Sequence, residues 1–173
     1  MKVLIVIDMQ NDFISGSLGT EEAIAIVPNV DKKIKEYISS QNKVIFTRDT
    51  HYDNYLQINE GKHLPVVHCV YGTHGWNIPR SLDIVNCEHI DKETFGYLPW
   101  HLDGDGCVRQ FDEIEICGLC TDICVISNAL ILKALFPEAD ITVDASCCAG
   151  TTTDNHLAAL NMMKMCQINI VGE

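Results

Sequence analysis

Short apolar runs that alternate with longer amphipathic segments constrain this chain more than any other feature. The runs are VLIVI (3–7), KVIFT (43–47), EHI (88–90), EIEIC (113–117), ITV (141–143) and INIV (168–171). Between them lie VPNVDKKIKEYI (27–38), ICVISNALILKAL (123–135) and NHLAALNMMKM (155–165). The order reads as a β-α-β rhythm. The strand-like runs are nearly continuous rather than alternating, which is the pattern of a sheet buried on both faces. A three-layer αβα architecture follows, with a mostly parallel sheet of about six strands and helices on both sides. In such sheets ligands collect at the carboxyl ends of the strands.

With 173 residues, 47% of them hydrophobic, the chain suits one domain spanning 1–173. Twelve Lys and Arg face 24 Asp and Glu, a net charge of −12. That balance argues against a nucleic-acid or anionic-membrane partner and favours a small neutral or cationic ligand. No charged segment followed by an apolar one opens the sequence, and no run is long enough to span a bilayer, so a cytoplasmic protein is expected. Nine cysteines, an odd number in a chain of this size, read as reduced thiols, most of them small core hydrophobes.

Three chemically unlike side chains fall at or just beyond strand ends. Asp8 follows the first run, Lys92 the CEHI run, and Cys124 the EIEICG run, so all three are expected at one rim of the sheet. Singly, Asp8 reads as a cap and Lys92 as a solvated surface lysine; together they suggest nucleophilic chemistry. Thr121 and Asp122 are suited to cap a helix with Cys124 in its first turn. The helix dipole and the Lys92 ammonium would then lower the thiol pKa, with Asp8 as the proton acceptor. Backbone N–H groups of the 119–124 turn are candidates for holding an oxyanion. Two rival readings use the same cysteines: a redox pair of Cys117 and Cys120, and a zinc site of Cys117, Cys120 and Cys124. The first is disfavoured because Cys117 ends a strand, the second because no separated cysteine pair completes it.

Two long loop-like stretches, 49–76 and 94–106, are where a site would be built. Asp49 and His51 lie two residues apart after the KVIFT run, and His68 in VVHCVYGTHGW could complete a carboxylate and two-imidazole set with Glu60 as a fourth ligand. Such a set suits a divalent metal, zinc first and iron or manganese as alternatives. Ordinary hydrogen bonding remains the other reading for these histidines. His63, His74, His89, His101 and His156 receive no role.

Taken in order, IDMQNDF, TRDTH, VVHCVYGTHGW, DKETFGY and GLCTDICV resemble the isochorismatase-like cysteine hydrolases, and most closely the nicotinamidases among them. The resemblance runs from Val3 to about Val143. It implies a catalytic triad of Asp8, Lys92 and Cys124 and a divalent metal held by Asp49, His51 and His68. It also implies a cis peptide at Leu119–Cys120, an oxyanion hole from the N–H groups of Cys120 and Cys124, and ring-binding walls from Phe13 and Phe95. The implied reaction converts nicotinamide to nicotinate and ammonia through a thioester, in NAD salvage, by a homo-oligomer. Two departures stand out: Tyr55, Leu56 and Gln57 occupy the region where a further metal histidine is common, and Leu64 and Pro65 stand where a tryptophan often precedes the last metal histidine. A hydrolase of another small amide or ureido compound is the alternative, a non-catalytic scaffold and a thiol-disulfide protein the remaining ones.

Overall fold

The structure is a computed structural model that describes residues 1–82 and 85–173. Its strands are β1 (Lys2–Ile7), β2 (Lys43–Asp49), β3 (Glu88–Lys92), β4 (Glu113–Leu119), β5 (Asp140–Ala149) and β6 (Asn169–Val171). They form one six-stranded sheet in the order β3-β2-β1-β4-β5-β6, and every pairing is parallel. The helices are α1 (Asn11–Ile14), α2 (Glu21–Ser39), α3 (Asn59–His63), α4 (Ile126–Leu135) and α5 (Thr153–Met165). The path moves one way from β1 to β2 and the other way from β4 to β6. Right-handed crossovers therefore place α2 on one face and α4 and α5 on the other. The direction reverses between β1 and β4, which opens a crevice at their carboxyl ends.

The central strand shows why the sheet forms. Val3 through Ile7 are completely buried, so β1 is covered on both faces and its run needs no alternation. Each such side chain contributes roughly 1.5–3 kcal/mol of gross burial energy before chain entropy is set against it. Helix α2 packs its Ala23, Ile26, Val30, Ile34 and Tyr37 stripe inward and leaves Pro28 on the exposed side. It begins earlier than its apolar stripe because the Thr20 side chain accepts from the Ala23 N–H at 3.0 Å.

Strand ends extend further than the apolar runs. β2 reaches Asp49 and β3 reaches Lys92, so both residues are held by the ladder, with Asp49 paired to Lys92 in register. Between β1 and β4, Gly118 has φ +120°, and a Cβ there would lie 2.0 Å from the Ile7 carbonyl oxygen. Only glycine lets the end of β4 close against β1 at the crevice. No described helix is long and apolar enough to cross a membrane.

Candidate functional site

Asp8, Lys92 and Cys124 meet at the crevice. Lys92 Nζ lies 2.6 Å from Asp8 Oδ2 and 3.6 Å from Cys124 Sγ, and all three residues are buried. Asp8 leaves β1 with φ +46°, which turns its carboxylate across the sheet rather than along it. Thr47 on β2 fixes that orientation: its hydroxyl donates to Asp8 Oδ1 at 2.6 Å and accepts from the Asp8 N–H at 3.1 Å.

The local structure around Cys124 differs from the expected capped helix. Residues Thr121–Val125 form a π-helical turn that leads into α4, and no side chain caps it. Thr121 Oγ1 instead pairs with His156 Nδ1 at 2.8 Å, and the Asp122 carboxylate accepts from the Thr151 N–H and hydroxyl. Both residues thus tie the nucleophile turn to the start of α5, which gives His156 a structural part. The Leu119–Cys120 peptide is cis. Asn128, a buried polar residue of α4, donates to the Cys124 carbonyl at 2.8 Å and the Phe95 carbonyl at 3.0 Å. Its Oδ1 accepts from the Tyr97 N–H and the Trp100 indole, so it joins the Phe95 loop to the cysteine.

The expected low thiol pKa is overturned. Burial, reinforced by the Asp8 charge, pushes the Cys124 thiol well up, and Lys92 offsets this only in part. The resting group is a thiol, and its proton has to leave during attack. Burial also raises the Asp8 carboxyl despite Lys92, which makes it a stronger base. Burial is the largest single influence on Lys92 and would neutralise it, but its neighbours together, Asp8 first, outweigh it and keep the ammonium charged.

The rival cysteine readings find no support among the described residues. Cys117 is buried within β4, its thiol pushed up by burial, and Cys117, Cys120 and Cys124 carry no disulfide. The Cys120 thiol is pushed up to about 12, first by burial.

Asp49, His51, Glu60 and His68 form a second cluster, each offering one ligand atom, with all four atoms within 4.8 Å of one another. His51 Nε2 lies 2.9 Å from Asp49 Oδ2 and 3.5 Å from Glu60 Oε1, while His68 Nε2 lies 3.4 Å and 3.7 Å from the same two atoms. Ligands about 2.1 Å from a tetrahedral ion stand roughly 3.4 Å apart, so the spacing suits a shared cation. His68 Nδ1 donates to the Val66 carbonyl at 2.8 Å, which leaves the Nε2 lone pair facing the cluster. His51 Nε2 and Asp49 Oδ1 are buried without a hydrogen-bond partner. Burial lowers the His51 pKa, but Asp49 and Glu60 outweigh it and push the ring up to about 9. The donor set therefore favours a cation at its centre and fits a divalent metal. Tyr55 packs against both imidazoles, with ring centroids 4.6 Å and 5.0 Å away, in the region where the resemblance would place another histidine. Glu60, in the first turn of α3, offers the fourth candidate ligand atom.

A cavity of about 590 Å³ joins the two clusters. Cys124, Asp49, Glu60 and His68 open into it, and Phe13, Leu18, Leu64, Phe95, Leu119 and Ile123 give it mainly apolar walls. Phe13 is buried and tilts over His68 at 5.4 Å, whereas Phe95 is 45% exposed and stands at the mouth. His63, given no role from sequence, also lines the cavity, and its spacing of three from Glu60 on α3 was the signal for it. Leu64 lines the wall from the position where a tryptophan is common.

Known proteins match nearly the whole chain. The nicotinamidase/pyrazinamidase of Mycobacterium tuberculosis is 28% identical over 99% of this chain and 98% of its own. The crystal structure of the pyrazinamidase of Pyrococcus horikoshii in complex with zinc superposes with a TM-score of 0.74, at 29% identity, over 99% of each chain. The pyrazinamidase/nicotinamidase of Streptococcus mutans gives 0.82 at 25% identity, over 99% of this chain and 100% of its own. Since the family model described as the isochorismatase domain matches residues 2–172, the chain belongs to that family.

Proposed function

We propose that this chain, acting as one domain over residues 1–173, is a nicotinamidase-type amidohydrolase that converts nicotinamide to nicotinate and ammonia. The observation that carries this reading is Lys92 Nζ standing between Asp8 and Cys124, 2.6 Å and 3.6 Å away, beside a cavity that also receives the metal-type cluster. Relatives named for nicotinamide and pyrazinamide hydrolysis support the substrate class.

In the first half-reaction Cys124 Sγ bonds to the carboxamide carbon as Asp8 takes the thiol proton. Lys92 remains charged throughout, which balances the negative charge that passes between Sγ and Asp8. The N–H groups of Cys120 and Cys124 stabilise the oxyanion of the tetrahedral species. The C–N bond then breaks, Asp8 returns its proton to the nitrogen, and ammonia leaves a thioester. In the second half Asp8 deprotonates water, the water oxygen bonds to the thioester carbon, and the C–S bond breaks as the proton returns to sulfur. Phe13 and Phe95 are the walls for the flat ring. Asp49, His51, Glu60 and His68 would hold a divalent ion, zinc in the first instance, which when bound supplies a Lewis-acid anchor for the ring nitrogen.

Ammonia release from nicotinamide by zinc-supplemented protein tests the reading. No release from nicotinamide together with release from another small amide would replace it with the alternative substrate class. A place in NAD salvage, a cytoplasmic location and self-association belong to the same reading; growth on nicotinamide, cell fractionation and light scattering check them.

A further inference from the structure

We infer that Gln10 and Asp12, two of the three other polar residues of the IDMQNDF motif, are positioning residues for the metal: they hold the backbones that carry Asp49 and His68 in register with the nucleophile cluster. This rests on the metal reading above. Gln10 is completely buried. Its Oε1 accepts from the Asp49 N–H at 2.7 Å, and its Nε2 donates to the Asp49 carbonyl at 2.9 Å and to the Trp76 carbonyl at 2.9 Å. One side chain thus grips both amide groups of a metal-type ligand and also the far end of the segment that carries His68. Asp12 Oδ2 accepts from the N–H of Cys69 at 2.8 Å, the residue directly after His68. Cys69 itself has φ +46°.

The contacts are continuous. The Asn11 and Asp12 N–H groups donate to the Asn77 and Gly75 carbonyls at 3.0 Å each, and the Asn11 side chain donates to the His74 carbonyl at 2.8 Å. Gly75 packs so closely that a Cβ would lie 2.1 Å from Asp12 Oδ2. Across the gap, the His51 N–H donates to the Cys69 carbonyl at 3.0 Å and the Tyr71 N–H to the His51 carbonyl at 2.9 Å. Asp8 is two residues before Gln10. A single turn after β1 therefore sets the separation between the thiol cluster and the metal cluster, which fixes where a ring held at one presents its carboxamide to the other.

The test is zinc affinity by chelator competition, with apo-protein circular dichroism and melting alongside. Gln10→Met keeps the bulk and removes the three hydrogen bonds. It is expected to weaken zinc binding by about 10- to 100-fold while the apo spectrum is retained. Asp12→Ala should weaken binding and Asp12→Asn, which keeps an acceptor for Cys69, should restore most of it; this pair carries the test if Gln10→Met does not fold. Variants that bind zinc within twofold of the parent overturn the inference, whatever happens to their melting temperature. A parent protein that binds no zinc overturns both the metal reading and this one.

Discussion

The two buried clusters at the crevice are built from similar materials and differ in how their charge closes. Around Cys124, one carboxylate, one ammonium and a neutral thiol sum to zero, and Lys92 contacts both partners. Around His68, two carboxylates face two imidazoles, and the nearest ammonium is Lys92, 3.7 Å from Asp49. Isolated buried charge is expensive, and buried polar atoms ordinarily find partners. The thiol cluster meets this requirement from its own residues. The other keeps His51 Nε2 and Asp49 Oδ1 without a hydrogen-bond partner, so it suits an added positive charge. The difference teaches that the thiol cluster closes its charge from its own residues, whereas the second cluster keeps buried polar atoms that an added cation would satisfy.

The largest effect expected is on the first cluster. Cys124→Ala should lower kcat by about 10⁴-fold or more, since groups that act as a unit are lost together, while zinc affinity stays within twofold. A large change in zinc affinity would break the proposed separation of the clusters. Next in size, Glu60→Gln should weaken zinc binding by at least the roughly 10- to 100-fold typical of outer-shell partners. Its effect on nicotinamide should fall more on KM than that of Cys124→Ala, and the alkylation rate of Cys124 by iodoacetamide, followed by peptide mass, should be unchanged. Smaller still, Phe95→Ala at the exposed mouth should raise KM by less than tenfold, about 1 kcal/mol, the value of one partly buried aromatic contact.

How much of this was legible in the sequence follows from which interactions are local. The strands were, because burial on both faces leaves an unbroken apolar run that needs no partner to be read. Asp8, Lys92 and Cys124 were legible as strand-end positions, and Asp49 and His51 as a spaced pair. Thr47 and Gln10 were not: their roles consist of contacts across 39 residues of sequence, and neither residue type signals them. Thr121 and Asp122 misled because their side chains suit a cap, and the partners that won, His156 and Thr151, lie about 30 residues on. The thiol pKa was misjudged for a related reason. Dipole and neighbouring charge can be inferred from position, but complete burial is a property of the packed fold.

A third polar cluster sharpens the comparison because it pairs its charged groups away from the cavity. On the inner side of α2, Lys33 pairs with Glu115 and lies 2.7 Å from Asp144 Oδ2, while the Tyr37 hydroxyl donates to Glu115. Burial raises the Asp144 carboxyl, but hydrogen bonds from Lys33 and Ser146 outweigh it and hold it below its ordinary value. A carboxyl depressed in the folded state binds fewer protons there than in the unfolded chain. Its contribution is therefore complete above about pH 4 and is lost as pH falls through the lower folded value. Asp144→Asn should cost about 1 kcal/mol at neutral pH, a figure discounted for solvent screening of the ion pair, and the deficit should shrink on acidification in urea titrations at successive pH values. Turnover and zinc affinity should both stay within twofold, because this cluster contacts neither the cavity nor the metal-type ligands. A deficit that instead grew in acid would show that the carboxyl is not held charged by Lys33.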